Sequence, residues 1–156
     1  MIVLYNVLIH LMGVGIRLAS FFHPKARAFV TGRKGIFRNL RTAFAEVTEP
    51  VVWIHCASLG EFEQGRPILE RIREEFPGCK ILLTFFSPSG YEVRKNFPAA
   101  WYVSYLPIDT TSNARKFIAI TRPSLAIFVK YEFWFHYTTA LKKNGVPVIS
   151  VSSIFR

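Results

Sequence analysis

Between residues 51 and 151 the chain alternates short apolar runs with segments of helical length, and this alternation restricts the fold more than any other feature. The runs at 51–57, 80–86, 102–106, 125–129 and 146–151 have the length of buried strands and are bounded by Ser, Pro and Gly. The segments between them carry helical spacing. Ile68, Leu69, Ile72 and Phe76 share one face of a helix over 61–76. Pro77-Gly78 stops that helix, and Pro67 kinks it or marks its true start. A short helix to Asn96 follows Ser87-Pro88-Ser89-Gly90. Asp109-Thr110-Thr111-Ser112 caps a helix over 112–121, and 133–143 is a helix closed by Gly145. Strands separated by such helices all run one way. The expected fold class is α/β: a doubly wound, Rossmann-like parallel sheet with right-handed crossovers. Its natural strand order is 3-2-1-4-5, with the crevice beside strands one and four.

The first strand leads through Trp53-Ile54-His55-Cys56-Ala57 into Ser58-Leu59-Gly60-Glu61. Glu61 thus sits at the carboxyl end of a parallel strand, where such sheets bind ligands, and Gly60 lets the backbone turn sharply there. Glu132 follows the fourth strand in the same way, so two carboxylates distant in sequence meet at one crevice mouth. Each also has a structural reading, as a negative charge favoured by the dipole at a helix start. The loop excludes the commonest ligands of this fold. Residues 57–63 hold one glycine and two carboxylates, which would repel phosphate, and neither G-x-G-x-x-G nor a Walker loop is present. Cys56 and Cys79 form no CxxC, zinc or disulfide pattern and read as reduced core residues, so no metal and no cofactor is implied. His55 and His136 read as core or surface histidines.

The amino end is different in character. Residues 1–16 carry no formal charge, and only Arg17 interrupts the apolar stretch to Phe22. As a helix, residues 2–22 measure about 31 Å, barely enough to cross a bilayer, with Arg17 near enough to the end to snorkel. Lys25, Arg27, Arg33, Lys34, Arg38 and Arg41 follow before the first acidic residue, Glu46. Residues 1–45 therefore supply seven of the 20 Lys and Arg, and much of the net charge of +10. A cleaved signal peptide is disfavoured by the missing basic n-region. A buried helix with a solvated basic loop is the plain alternative. The preferred reading is a membrane-anchoring helix over 1–22. A basic linker or helix over 23–49 would then lie on anionic headgroups at the cytoplasmic face of the inner membrane. Nucleic acid is a poor partner, because no recognised motif or stacking platform accompanies the charge.

Five features occur in order: an apolar amino-terminal anchor, Trp53-Ile54-His55 into Ser58-Leu59-Gly60-Glu61, Leu82-Leu83-Thr84 into Ser87-Pro88-Ser89-Gly90, Leu106-Pro107-Ile108-Asp109, and Tyr131-Glu132-Phe133-Trp134. Together they resemble the 3-deoxy-D-manno-octulosonic acid (Kdo) transferases of lipopolysaccharide synthesis, over nearly the whole chain. The resemblance implies a GT-B glycosyltransferase. Residues 50–156 would be its acceptor-binding domain, and a carboxyl-terminal domain outside this chain would hold most of the CMP-Kdo donor. It implies inverting, metal-free transfer of Kdo to a lipid A precursor, with Glu61 as general base and Glu132 as a second essential carboxylate. Ser58 and Gly60 would shape the first loop. Ser89 and Gly90 would bind acceptor or cap a helix. Lys130 would pair with Glu132 or meet an acceptor phosphate. The chain departs from the family where many members have Glu-Thr-Glu before Leu-Trp-Pro-Asn, since it has Lys130-Tyr131-Glu132-Phe133-Trp134-Phe135-His136. Two rival readings are a membrane-anchored, non-catalytic lipid-binding module and a GT-B transferase with another donor. The final run over 146–151 has no closing helix after it, which reads as the amino-terminal part of a longer protein.

Overall fold

The computed structural model describes residues 2–130 and 132–152. Three helices come first: α1 (Ile2–Ala19), α2 (Pro24–Thr31) and α3 (Ile36–Phe44). The alternating part follows as β1 (Val51–Cys56), α4 (Leu59–Glu75), β2 (Lys80–Phe85), α5 (Pro88–Arg94), β3 (Tyr102–Tyr105), α6 (Thr111–Thr121), β4 (Leu125–Val129), α7 (Phe135–Lys143) and β5 (Val148–Val151). All neighbouring strands pair in parallel, in the order β3-β2-β1-β4-β5. This is the expected doubly wound sheet. The tail at 153–156 lies outside the described residues.

β1 is central, and every one of its residues is buried, as a strand covered on both faces must be. Alternate residues feed two cores. Trp53 and Leu82 join Leu40 and Phe44 of α3, Phe117 of α6 and Tyr137 of α7. Ile54, Cys56 and Leu83 join Phe62 and Leu69 of α4 on the other side. The 23–49 stretch is therefore folded into the domain: α3 is amphipathic and buries Ile36, Leu40 and Phe44 against the sheet, leaving Arg38 and Arg41 outside. Helix α4 starts at Leu59, with Ser58 as its N-cap, and runs through Pro67. Pro67 therefore does not mark the start. It lies on the exposed side, where the Glu63 carbonyl it leaves unbonded can face water. Gly65 brings α4 close to the sheet, since a Cβ there would stand 2.8 Å from the Val129 side chain. Cys56 ends β1, whereas Cys79 precedes β2 at the opposite end of the sheet, and both are free thiols.

Helix α1 has the length and composition of a membrane span, with 18 residues and a mean hydropathy of 1.8, and only 6% of it is buried.

Candidate functional site at the carboxyl ends of β1, β2 and β4

The site candidates lie at the carboxyl ends of three adjacent strands. At the end of β1, the Glu61 carboxylate accepts the Ser58 backbone N–H at 3.0 Å, which is the acidic half of a capping box. The structural role anticipated for this residue is thus realised, and Glu61 remains half-buried. Gly60 occupies the first turn of α4 and is not among the glycines with positive φ, so no sharp turn demands it. What a glycine does here is leave open space, because nothing lies within 4 Å of where its Cβ would be.

Glu132 has a different setting. It precedes α7 by three residues, and the N-cap of that helix is Trp134, so Glu132 is not a first-turn charge. Its Oε2 stands 3.8 Å from Nε2 of His55, a fully buried histidine on β1. His55 Nδ1 lies 2.9 Å from the Thr84 hydroxyl and 3.2 Å from the Thr84 carbonyl on β2. The Trp134 indole N–H donates to His55 Nε2 at 3.3 Å. An indole can only donate, so Nε2 accepts and Nδ1 carries the proton toward Thr84. Trp53 Nε1 donates to the same Thr84 hydroxyl at 2.8 Å, and Trp134 stacks on Phe86 with ring centres 4.7 Å apart. A buried network thereby fixes the Glu132–Trp134 segment against β1 and β2. Burial pushes the pKa of the Cys56 thiol at the end of β1 up, and the charges of Glu61 and Glu132 push it further.

The remaining site candidates divide. Lys130 leaves β4 in the left-handed region at φ 62, its N–H donating to the Val151 carbonyl at 2.8 Å and its own carbonyl accepting from the Ser150 hydroxyl at 3.1 Å. Ser89 is exposed beside the N-cap Ser87, with their hydroxyls 3.0 Å apart. The Ser87 N–H donates to the Ala57 carbonyl at 2.7 Å and ties this loop to that of Glu61. Gly90 is buried, and any Cβ there would overlap the Phe85 ring, so its place is a packing requirement. Tyr131 lies outside the described residues. Among the described residues, no three His, Cys, Asp or Glu come together as a metal site would require.

Of the basic residues expected at headgroups, Arg17, Lys25, Arg27, Lys34, Arg38 and Arg41 are exposed. Arg27 also donates to the carbonyls of Ser20 and Phe21, closing the end of α1. Arg33 corrects the expectation. Its guanidinium donates to the carbonyls of Leu106 (2.9 Å), Phe29 (3.1 Å) and Phe86 (2.7 Å), and lies 3.5 Å from the centre of the Phe29 ring. Burial lowers its pKa to about 9, so it stays charged at neutral pH and staples the turn after α2 to the ends of β2 and β3. Sequence reasoning left His55, Thr84 and Trp134 aside as functional residues. The signal for them was register. Trp53 and His55 share a face of β1, and Thr84 is the register partner of His55 on β2.

Known proteins resemble the chain as follows. Residues 31–156 match the sequence family described as 3-Deoxy-D-manno-octulosonic-acid transferase. A 3-deoxy-D-manno-octulosonic acid transferase of Chlamydia pneumoniae is 33% identical over 105 residues, covering 66% of this chain and 24% of that protein. One of Haemophilus influenzae is 29% identical over 136 residues, covering 86% of this chain and 31% of that protein. One of Aquifex aeolicus is 36% identical over 84 residues, covering 53% and 23%. The chain thus spans between about a quarter and a third of the length of such curated relatives. With the family match covering most of its length, the chain belongs to the 3-deoxy-D-manno-octulosonic-acid transferase family.

Proposed function

We propose that this chain is the acceptor-side domain of a membrane-bound glycosyltransferase that moves Kdo from CMP-Kdo to a hydroxyl of a lipid A precursor. The observation that carries the proposal is that Glu61 follows β1 and Glu132 follows its neighbour β4, with Glu132 Oε2 3.8 Å from His55 of β1. A domain that only bound anionic lipid would gain nothing from two carboxylates at its crevice, whereas activation of a hydroxyl needs at least one.

In this reading Glu61 is the general base. As the acceptor oxygen forms its bond to the anomeric carbon, its proton passes to the Glu61 carboxylate. The bond from that carbon to the phosphate of CMP breaks, and the electron pair leaves with CMP. Attack opposite the leaving group inverts the centre. The Ser58 N–H holds one carboxylate oxygen in place by a bond already made in the resting protein, which leaves the other to take the proton. Glu132, on the segment that the Trp134–His55 hydrogen bond ties to β1, orients the acceptor. Open space over Gly60 admits it to the first turn of α4, and Ser89 and Lys130 stand at the rim. The donor is held mainly by residues outside this chain, on the cytoplasmic face of the inner membrane.

The test is Kdo transfer from CMP-Kdo to detergent-dispersed lipid A precursor by the protein extended to the full length of its relatives. Glu132→Gln should lower turnover by at least about tenfold without a loss of folding, and residues 1–156 alone should transfer nothing. Turnover near wild type in Glu132→Gln, or catalysis by residues 1–156 alone, would refute the reading.

A further inference from the structure

We infer that α1 lies in the plane of the membrane surface as an interfacial helix docked along the domain, and does not cross the bilayer. The inference rests on the membrane-bound reading above and specifies its geometry.

The first ground is how α1 is held. One stripe of the helix, Tyr5, Asn6, Ile9, Gly13 and Ile16, is buried or half-buried, and it recurs at helical spacing from near the start to near the end. Polar contacts fix its first two turns. The Tyr5 hydroxyl donates to Asp109 Oδ2 at 2.5 Å, and Asn6 Oδ1 accepts from His136 Nε2 at 2.6 Å. Asp109 is fully buried and also accepts the N–H groups of His136 and Tyr137 at the start of α7. Further along, a Cβ on Gly13 would touch the Ile108 side chain at 3.4 Å, and Ile16 lines a cavity with Phe29 and Arg33. The helix is therefore attached to the domain along its length of about 27 Å. To cross the hydrocarbon it would have to carry this polar surface in with it, or abandon its bonds to Asp109 and His136.

The second ground is what the attachment leaves outside. Val3, Leu4, Leu8, Leu11, Val14 and Leu18 are each at least half exposed, and Phe21 and Phe22 beyond the helix are 71% and 87% exposed. Apolar side chains in a contiguous row along a docked helix mark a surface for an apolar partner. Charge selects that partner. Arg17, Arg38 and Arg41 line one cavity of about 400 Å³ beside the carboxyl half of the helix, and Lys25 and Lys34 are exposed nearby in sequence. An apolar row with cations at one side matches an anionic bilayer, whose phosphates lie just above its acyl chains. The remaining length of the protein is the rival occupant of this face.

The experiment places a fluorophore at Val3, Leu11 or Leu18 through single cysteines in the full chain, with Cys79→Ser to silence the accessible native thiol. Vesicles of phosphatidylglycerol and phosphatidylethanolamine carry nitroxide quenchers either near the headgroups or deep in the acyl region. An in-plane helix places all three labels at one depth, about 5–10 Å into the boundary, quenched best by the shallow nitroxide. A spanning helix would show Leu11 quenched best by the deep nitroxide and the outer two by the shallow one, and would overturn the inference. Flotation with the vesicles but no quenching at any site would also overturn it, while leaving membrane binding intact and assigning the apolar face to another part of the protein. Failure to float would remove the membrane-bound reading as well.

Discussion

Glu61 has two roles in this account, and they can be pulled apart by the choice of substitution. Its carboxylate caps α4 through the Ser58 N–H, and it is proposed to take the acceptor proton. Glu61→Gln keeps an amide oxygen where the carboxylate oxygen was, and capping boxes accept Gln as well as Glu. It loses only the favourable charge in the first turn, about 0.3–1 kcal/mol. Glu61→Ala loses the bond too, about a further 1 kcal/mol. At roughly 2–4 °C per kcal/mol for a domain of this size, Gln should lower Tm by about 1–4 °C and Ala by about 3–8 °C. Activity should not follow that order. Both variants lack a base, so both should lose roughly 10²–10⁴ in kcat, with a much smaller change in KM for the lipid. The assay is initial-rate Kdo transfer by the extended protein, with thermal unfolding followed by circular dichroism on the same preparations. If Glu61 only capped the helix, turnover would track Tm and the Gln variant would work nearly as well as wild type. That outcome sinks the general-base assignment.

The structure commits to further outcomes. Arg33→Met strips the donors from three backbone carbonyls and should cost about 2–5 kcal/mol in urea unfolding while leaving binding to anionic vesicles unchanged; lost binding with normal stability would return Arg33 to the headgroups. Gly90→Ala drives a methyl into the buried Phe85 ring and should destabilise by about 1–3 kcal/mol, so a neutral result in thermal melts would mean the α5–β2 approach is looser than described. Trp134→Phe removes the indole N–H from His55 Nε2 but keeps the stack on Phe86, and should lower kcat with little loss of Tm; unchanged kinetics would separate that hydrogen bond from the site. With Ellman's reagent at mildly alkaline pH, Cys79 should react in the folded protein while Cys56, buried and held protonated by burial and the two carboxylates, reacts only on unfolding; two fast thiols would contradict the packing at the end of β1.

The strand order and the placing of Glu61 and Glu132 after neighbouring strands were legible in the sequence because both follow from backbone rules. Apolar runs set the strands, crossover handedness sets their order, and the residue after each strand falls at the carboxyl edge whatever its side chain is. What escaped depends on side chains meeting across elements. Nothing local separates Arg33 from Lys34, yet one is buried among three carbonyls and the other is exposed. Gly60 likewise reads as a turn residue from its neighbours, and only the three-dimensional surroundings show open space above a regular helix. His55 is the sharpest case. A histidine on an apolar strand is uninformative by itself, but its register partner Thr84 and the indole of Trp134 make it the anchor of the segment that carries Glu132.

The amino-terminal helix shows the same limit from the other direction. Its composition satisfies the requirement for a span, because a face buried against protein and a face buried in lipid both favour apolar side chains. The discriminating residues are the few that break the pattern. Tyr5 and Asn6 put a hydroxyl and an amide on the stripe that the domain covers, where Asp109 and His136 receive them. A helix designed only for hydrocarbon has no use for either group, and Asp109 is fully buried beneath the first of them. Polar residues on one stripe of an apolar helix are thus the mark of a docked element. Those two side chains, more than overall hydropathy, show that α1 is docked on the domain. With α1 in the surface plane, the helix that meets the membrane is bonded through Asp109 and His136 to the start of α7, directly after the segment that carries Glu132 and Trp134. In the proposed membrane-bound arrangement, those bonds would set the height of the strand ends above the headgroups.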